Sequence, residues 1–233
     1  MTKTFAEIES IIGSDGNKFH DYIGKFLHAE VLALVESLMK HTHVYLYNGL
    51  INNFFLRKQL PQKSNILFDG YLNLFKFLEP YDFEVNETGG YHVNIAGEEV
   101  NLWCIKELWS VKMNQPEIEG MLAHHIPHIS LFNLSSIIYS FNKKKFYYTR
   151  EYIQFLRTKE LDFRYENQDC NPLAIVFTFY YVDQYKIKIG LRLKSYLKII
   201  YPECLKECDR FQMDYFGKIL YPQFELKRRI ENL

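Results

Sequence analysis

Residues 43–58 read HVYLYNGLINNFFLRK, and this stretch sets the reading of the whole chain. His43 to Tyr47 is β-branched and aromatic, which predicts a strand. Asn48-Gly49 supplies residues that end it in a tight turn. Residues 50–58 take up helical spacing, with Pro61 as the stop. The next stretch, SNILFDGYLNLFKFL (64–78), predicts a short strand at Ile66-Leu67-Phe68 and a helix over 70–79 that ends before Pro80. Three strands follow, at 83–86, 91–95 and 100–103, with Gly89-Gly90 and Ala96-Gly97 as turns. Strand, helix, strand, helix and a meander predict a mixed α/β lobe.

Upstream, Phe19, Tyr22, Ile23, Phe26, Leu27, Val31, Leu34, Val35 and Leu38 recur at helical spacing, which predicts one helix capped by Asp15 or Asn17. Downstream, 117–125 reads as helix, and 137–139 with 146–148 as a hairpin around Asn142-Lys143. Helices are predicted at 150–158, 171–185, 189–200, 203–216 and 222–232, with Pro172, Pro202 and Pro222 at their starts. The expected organisation is an α/β domain over 1–140 and a helical domain over 141–233.

Composition bounds the function. The 233 residues are 48% hydrophobic and 24% charged, with net charge zero. Neutrality gives no indication of a general electrostatic grip on nucleic acid. It hides an asymmetry: residues 1–139 carry 10 basic against 16 acidic side chains, and 140–233 carry 18 against 12. The C-terminal part can therefore offer a local basic surface. Phe, Tyr and Trp make up 17%, which core packing explains and base stacking would exploit. Cys104, Cys170, Cys204 and Cys208 form no CxxC, so buried free thiols in a reducing compartment are expected. The polar start MTKTFAEIES and the lack of a long apolar run predict a soluble, cytoplasmic protein with no membrane partner.

The strings at 44–58, 64–78 and 87–109 resemble the polymerase-β-like nucleotidyltransferases, in the branch of the poly(A) polymerase and tRNA nucleotidyltransferase head domains. HISLFNLSSIIYSFNKKKFYY (128–148) and NPLAIVFTFYYVDQYKIKIGLRLKSYL (171–197) resemble the segments that follow the head in this branch. The resemblance covers about 43–200. It implies a nucleotidyltransferase-like mixed sheet with flanking helices, α/β (α+β) in class, and a C-terminal helical lobe. It also implies a phosphate turn, an Asp-x-Asp strand and a third aspartate on a neighbouring strand, holding two Mg²⁺ for in-line displacement.

Carried over residue by residue, Gly49 matches the second glycine of the phosphate turn and Asn48 stands at the first. Asn52 stands where arginine is usual, and Asn53 is compatible. Ser64 matches the serine before the acidic pair. Asn65 and Leu67 stand at its two aspartates, and Asn101 at the third, with Trp103 two residues on. Gly89 and Gly90 match the hairpin. Asn48, Gly49, Asn52 and Ser64 are thus the nucleotide-binding candidates. No catalytic carboxylate and no metal ligand is assigned.

Mg²⁺ demands hard anionic oxygens; an amide gives one weak carbonyl and leucine gives none. The resemblance then implies a catalytically degenerate protein, with no cofactor, binding a nucleotide, an RNA or a protein partner in an inter-lobe cleft beside a basic C-terminal lobe. The alternative is an active Mg²⁺-dependent enzyme using displaced carboxylates, Asp69 with Glu98 or Glu99; by its position before the helical run, Asp69 reads first as the N-cap of helix 70–79. A component of a toxin–antitoxin or phage-defence system is the third reading.

Other clusters carry less. His124, His125 and His128 have a spacing metals use, but Pro127 interrupts it. Lys143-Lys144-Lys145 reads as a solvated turn. Tyr147, Tyr148, Tyr152 and Phe155 interleave with Arg150 and Arg157, as core packing or as a nucleic-acid contact.

Overall fold

The computed structural model describes residues 3–47, 49–60, 63–70, 72–85, 90–107, 123–164 and 171–233. They form two compact units, Met1–Ser130 with Leu134–Arg157, and Leu131–Asn133 with Thr158–Leu233.

The first unit opens with α1 (Phe5–Ser14), where Thr4 and Glu7 form a reciprocal capping box. The apolar stripe from Phe19 is carried by two helices rather than one, α2 (Gly16–Phe26) and α3 (Ala29–Met39). Leu27 turns to extended backbone, and the His28 ring accepts from the Glu30 amide, so a new cap restarts the helix. Both helices bury the same stripe, which is why the period alone does not reveal the break. Asp15 occupies the N-cap position of α2 but makes no side-chain cap bond.

Strand β1 (Val44–Tyr47) leads into α4 (Gly49–Leu56). Then come β2 (Ser64–Phe68), α5 (Phe75–Leu78), β3 (Asp82–Val85), β4 (Tyr91–Ile95) and β5 (Glu98–Cys104). The helix expected over 70–79 shrinks to α5. Gly70 adopts φ +86, outside the helical region, and Leu74 is the N-cap. Asp69 is therefore not a helix cap. A 3₁₀ turn at Ala123–His125 runs into the single turn α6 (Ile126–Ile129); the rest of the helix expected over 117–125 lies outside the described residues. The hairpin β6 (Ile137–Ser140) and β7 (Lys145–Tyr148) pairs throughout. The helix α7 (Arg150–Thr158) ends this part of the chain.

These strands make one mixed sheet in the order β3-β4-β5-β2-β1-β6-β7. Only β2 and β5 run parallel as neighbours. The expected boundary at 140 cuts the β6–β7 ladder, whose hydrogen bonds hold both strands in the first unit. The compact units part near residue 157 instead.

The second unit holds a short parallel pair, β8 (Glu160–Leu161) with β9 (Lys188–Ile189), and three helices among its described residues: α8 (Pro172–Tyr185), α9 (Leu191–Phe216) and α10 (Gln223–Glu231). Asn171 caps α8 by accepting from the Ala174 amide, and Pro172 fits its first turn. The helices expected at 189–200 and 203–216 are one. Pro202 lies inside α9, on its exposed side, while Leu197, Ile200, Cys204 and Cys208 are buried on the other. Proline there removes one hydrogen bond on the wet face, and the continuous buried stripe outweighs it. Cys104 and Cys208 are free, but Cys204 is disulfide-bonded, against the expectation of free thiols. The spacing spoke only against a Cys204–Cys208 bond, four apart on one helix face. No helix of the described residues is long and apolar enough to cross a membrane.

Candidate functional site: a nucleotidyltransferase face without carboxylates

The register brings the three degenerate positions to one face of the sheet. Asn65 on β2 lies beside Asn101 on β5, and Leu67 beside Trp103. Tyr47 on β1 pairs with Asn65, and His92 on β4 pairs with Asn101. Ile138 continues the row from Tyr47 to β6, and Tyr147 continues it to β7. One line of side chains thus crosses the face as His92, Asn101, Asn65, Tyr47, Ile138 and Tyr147.

Two of the three positions form a polar chain. Asn101 Nδ2 donates to Asn65 Oδ1 at 3.0 Å. Asn101 Oδ1 lies 2.9 Å from His92 Nδ1, which donates when it carries the proton. The third position is apolar. Leu67 is 1% exposed and packs in a cluster with Tyr45, Ile105, Ala123, Ile126 and Ile138. Trp103, Tyr47, Ile129 and Tyr147 pack against it. The segment 123–130 therefore covers Leu67. Tyr47 fastens its end: its hydroxyl is 3.2 Å from Ser130 Oγ, which in turn lies 3.1 Å from the Ile126 carbonyl and 3.0 Å from the Ser135 carbonyl. Burial pushes the Tyr45 phenol up to about 12, with the Asp69 carboxylate and Tyr147 adding to the effect.

The donor set does not fit a pair of divalent ions. Asn65 Oδ1 is engaged by Asn101, Asn101 Oδ1 is turned to His92, and Leu67 has no ligand atom. Displaced carboxylates do not converge either. Asp69 lies four residues from Asn65, about 13 Å along the strand. It lines a cavity of about 540 Å³ at the other end of the sheet, with His41, His43 and Asn142. Glu98 accepts from the His28 amide at 3.0 Å. Glu99 pairs with Lys63 at 2.7 Å, and that bond holds its carboxyl below the usual range. Among the described residues, no group of three His, Cys, Asp or Glu side chains could hold a metal ion, so His124, His125 and His128 do not form one either.

The nucleotide-binding candidates are placed as follows. Gly49 is buried at the start of α4 with φ +23. Asn48 lies outside the described residues, as does Gly89. Ser64 is buried at the start of β2. Asn52 is 1% exposed, and its Oδ1 accepts from the Tyr152 hydroxyl at 3.1 Å. It is buried within the first unit. Gly90 is needed for packing: a Cβ there would lie 2.6 Å from the Trp103 ring. Tyr152 and Phe155 are fully buried, and Arg150 and Arg157 lie over the Phe5 ring at 5.6 and 5.2 Å. Tyr152 and Phe155 are therefore core packing, while both arginines are exposed. The sequence reading missed His92 and the segment 123–130. Period two in residues 91–95 and 98–104 was the available signal for His92, because it sets Asn101 opposite a residue of β4.

No protein-family model matches the chain, and no curated protein matches it in sequence. Solved structures do match. The chain superposes on a CCA-adding enzyme in an apo form with TM-score 0.63 and 13% identity, over 95% of this chain and 54% of that one. The Thermotoga maritima CCA-adding enzyme complexed with tRNA gives 0.61 and 12%, over 95% and 54%. A tRNA nucleotidyltransferase with a primer tRNA and an incoming ATP analogue gives 0.53 and 13%, over 76% and 52%. The chain spans about half the length of these proteins. The seven-stranded mixed sheet and its helices thus share the fold of these CCA-adding enzyme and tRNA nucleotidyltransferase structures.

Proposed function

We propose that this protein is a catalytically degenerate member of that fold, which binds RNA without transferring nucleotides to it. The observation that carries the reading is the Asn101–Asn65 hydrogen bond beside a buried Leu67. Metal-dependent phosphoryl transfer relies on metal positioning and charge neutralisation. A hydrogen-bonded amide pair and an apolar side chain supply neither. Loss of three anionic charges also removes repulsion toward phosphate, so an RNA can approach this face without a metal ion. Structural neighbours complexed with tRNA support RNA as the ligand class.

The test is incubation with labelled nucleoside triphosphates and RNA primers, tRNA lacking its terminal CCA among them, in Mg²⁺ and in Mn²⁺. The expected result is no incorporation, together with RNA retention in the presence of a chelator. Incorporation that disappears in Asp69→Ala or Glu99→Gln would establish the displaced-carboxylate enzyme instead.

A further inference from the structure

The segment over the old metal site has two faces. Ala123 and Ile126 are buried against the sheet, with Ile129 packed beside them. His125 and His128 are exposed, and His124 is half-buried. Their rings run together, His124 to His125 at 4.3 Å and His125 to His128 at 6.4 Å. The β6–β7 hairpin completes the patch. The Tyr147 ring lies 6.2 Å from His124, the two planes 35° apart. Lys145 Nζ sits over the same Tyr147 ring at 4.7 Å. Burial and the charges of His125, His128, Lys143 and Lys145 hold the His124 imidazole below its ordinary pKa. Lys144 belongs elsewhere: its carbonyl packs on Gly16 and its charge acts on His20.

Two stretches of sequence, HHIPH at 124–128 and KKKFY at 143–147, thus meet as one surface of exposed lysines and histidines around half-buried rings. Such crowding of positive charge is relieved by a polyanion. Lysine ammonium and imidazole N–H donors match phosphate oxygens, and ring faces set between them match unstacked bases. A duplex offers phosphates but keeps its base faces closed, and an acidic peptide has no planar groups repeating beside its charges.

We propose that this surface binds single-stranded RNA without a metal ion, its phosphates on Lys143, Lys145, His125 and His128 and its bases against Tyr147 and His124. The proposal rests on the RNA-binding reading above and names the surface that would carry it. The carboxylate site that needs divalent ions has been covered by a segment whose outer face serves the same kind of ligand by direct charge.

The experiment is fluorescence anisotropy with a labelled single-stranded RNA of about twelve nucleotides, in chelator, across a salt series. The variants are Lys143→Glu with Lys145→Glu, and His125→Ala with His128→Ala; all four side chains are exposed, and circular dichroism verifies folding. The lysine pair is expected to weaken binding more than about tenfold and to reduce the log–log salt slope by about 1.4, for two phosphate contacts. The histidine pair is expected to weaken it by about threefold to tenfold. RNA bound equally by wild type and both variants would overturn this surface and leave the RNA-binding reading standing. No RNA binding by the wild type would overturn both. Polyglutamate competing as well as unlabelled RNA would overturn the nucleic-acid assignment.

Discussion

The two ends of the candidate site are built in opposite ways. At Leu67 the position has been absorbed into a dry cluster beneath Ala123 and Ile126. At Asn65 and Asn101 it has stayed polar and half-exposed, and the two amides satisfy each other with His92 beside them. The difference shows where a carboxylate could be accommodated. An amide and a carboxylate share a shape, so the Asn65–Asn101 end has room for one. At Leu67 the space is filled by the apolar cluster.

The sharpest break of that contrast is Leu67→Asp. A carboxylate in the apolar cluster has no partner, and the expected cost is about 3–5 kcal/mol, read as a large fall in the urea midpoint. A stable Leu67→Asp protein would mean that the segment 123–130 lifts off easily, and that the face is a closed site rather than an abolished one. Next in size is Asn101→Leu. It removes the partner of both Asn65 and His92 and is expected to lower stability by about 1–3 kcal/mol. If it is neutral, the polar chain contributes nothing and the amides are bystanders.

Asp183 in the second unit extends the comparison, because there a carboxylate has been kept. Arg229 holds it with two bonds at 2.6 and 2.8 Å, and the Tyr221 hydroxyl adds a third at 2.9 Å. The Arg229 bond, with Tyr221, sets the Asp183 pKa below its ordinary value of 3.8. Its stabilising contribution is thus present above the unfolded pKa and is lost as pH falls through the folded one. Asp183→Asn is expected to destabilise by about 1 kcal/mol at neutral pH, given that the pair is partly solvated. The gap to wild type should close in acid; a gap that persists at low pH would show that shape, not charge, does the holding. The smallest effect is expected at Asn65→Asp, below about 1 kcal/mol, since Asn101 Nδ2 still has an acceptor. A larger loss would mean that the site tolerates charge no better than Leu67 does.

Much of the architecture was legible because strands and turns announce themselves locally. The run 43–47 is rich in β-formers, Ala96-Gly97 takes up positive φ at both residues as the turn there needs, and the 137–148 hairpin closes around Asn142-Lys143. The break between α2 and α3 and the unbroken α9 were not legible. Each depends on a competition between a local stop signal and a buried stripe, and the stripe's strength is set by what packs on it. The site was half legible. Asn65, Leu67 and Asn101 could be named in advance, but their opposite fates could not.

From residue types alone it follows that Asn65, Leu67 and Asn101 offer no anionic oxygen, since that is a property of each side chain wherever it lies. Only the tertiary structure decided how those positions are built: which amide meets which, and which leucine is covered by residues 123–130. Those outcomes rest on contacts between segments tens of residues apart, formed when the sheet register and the packed segment come together, and no local pattern encodes them.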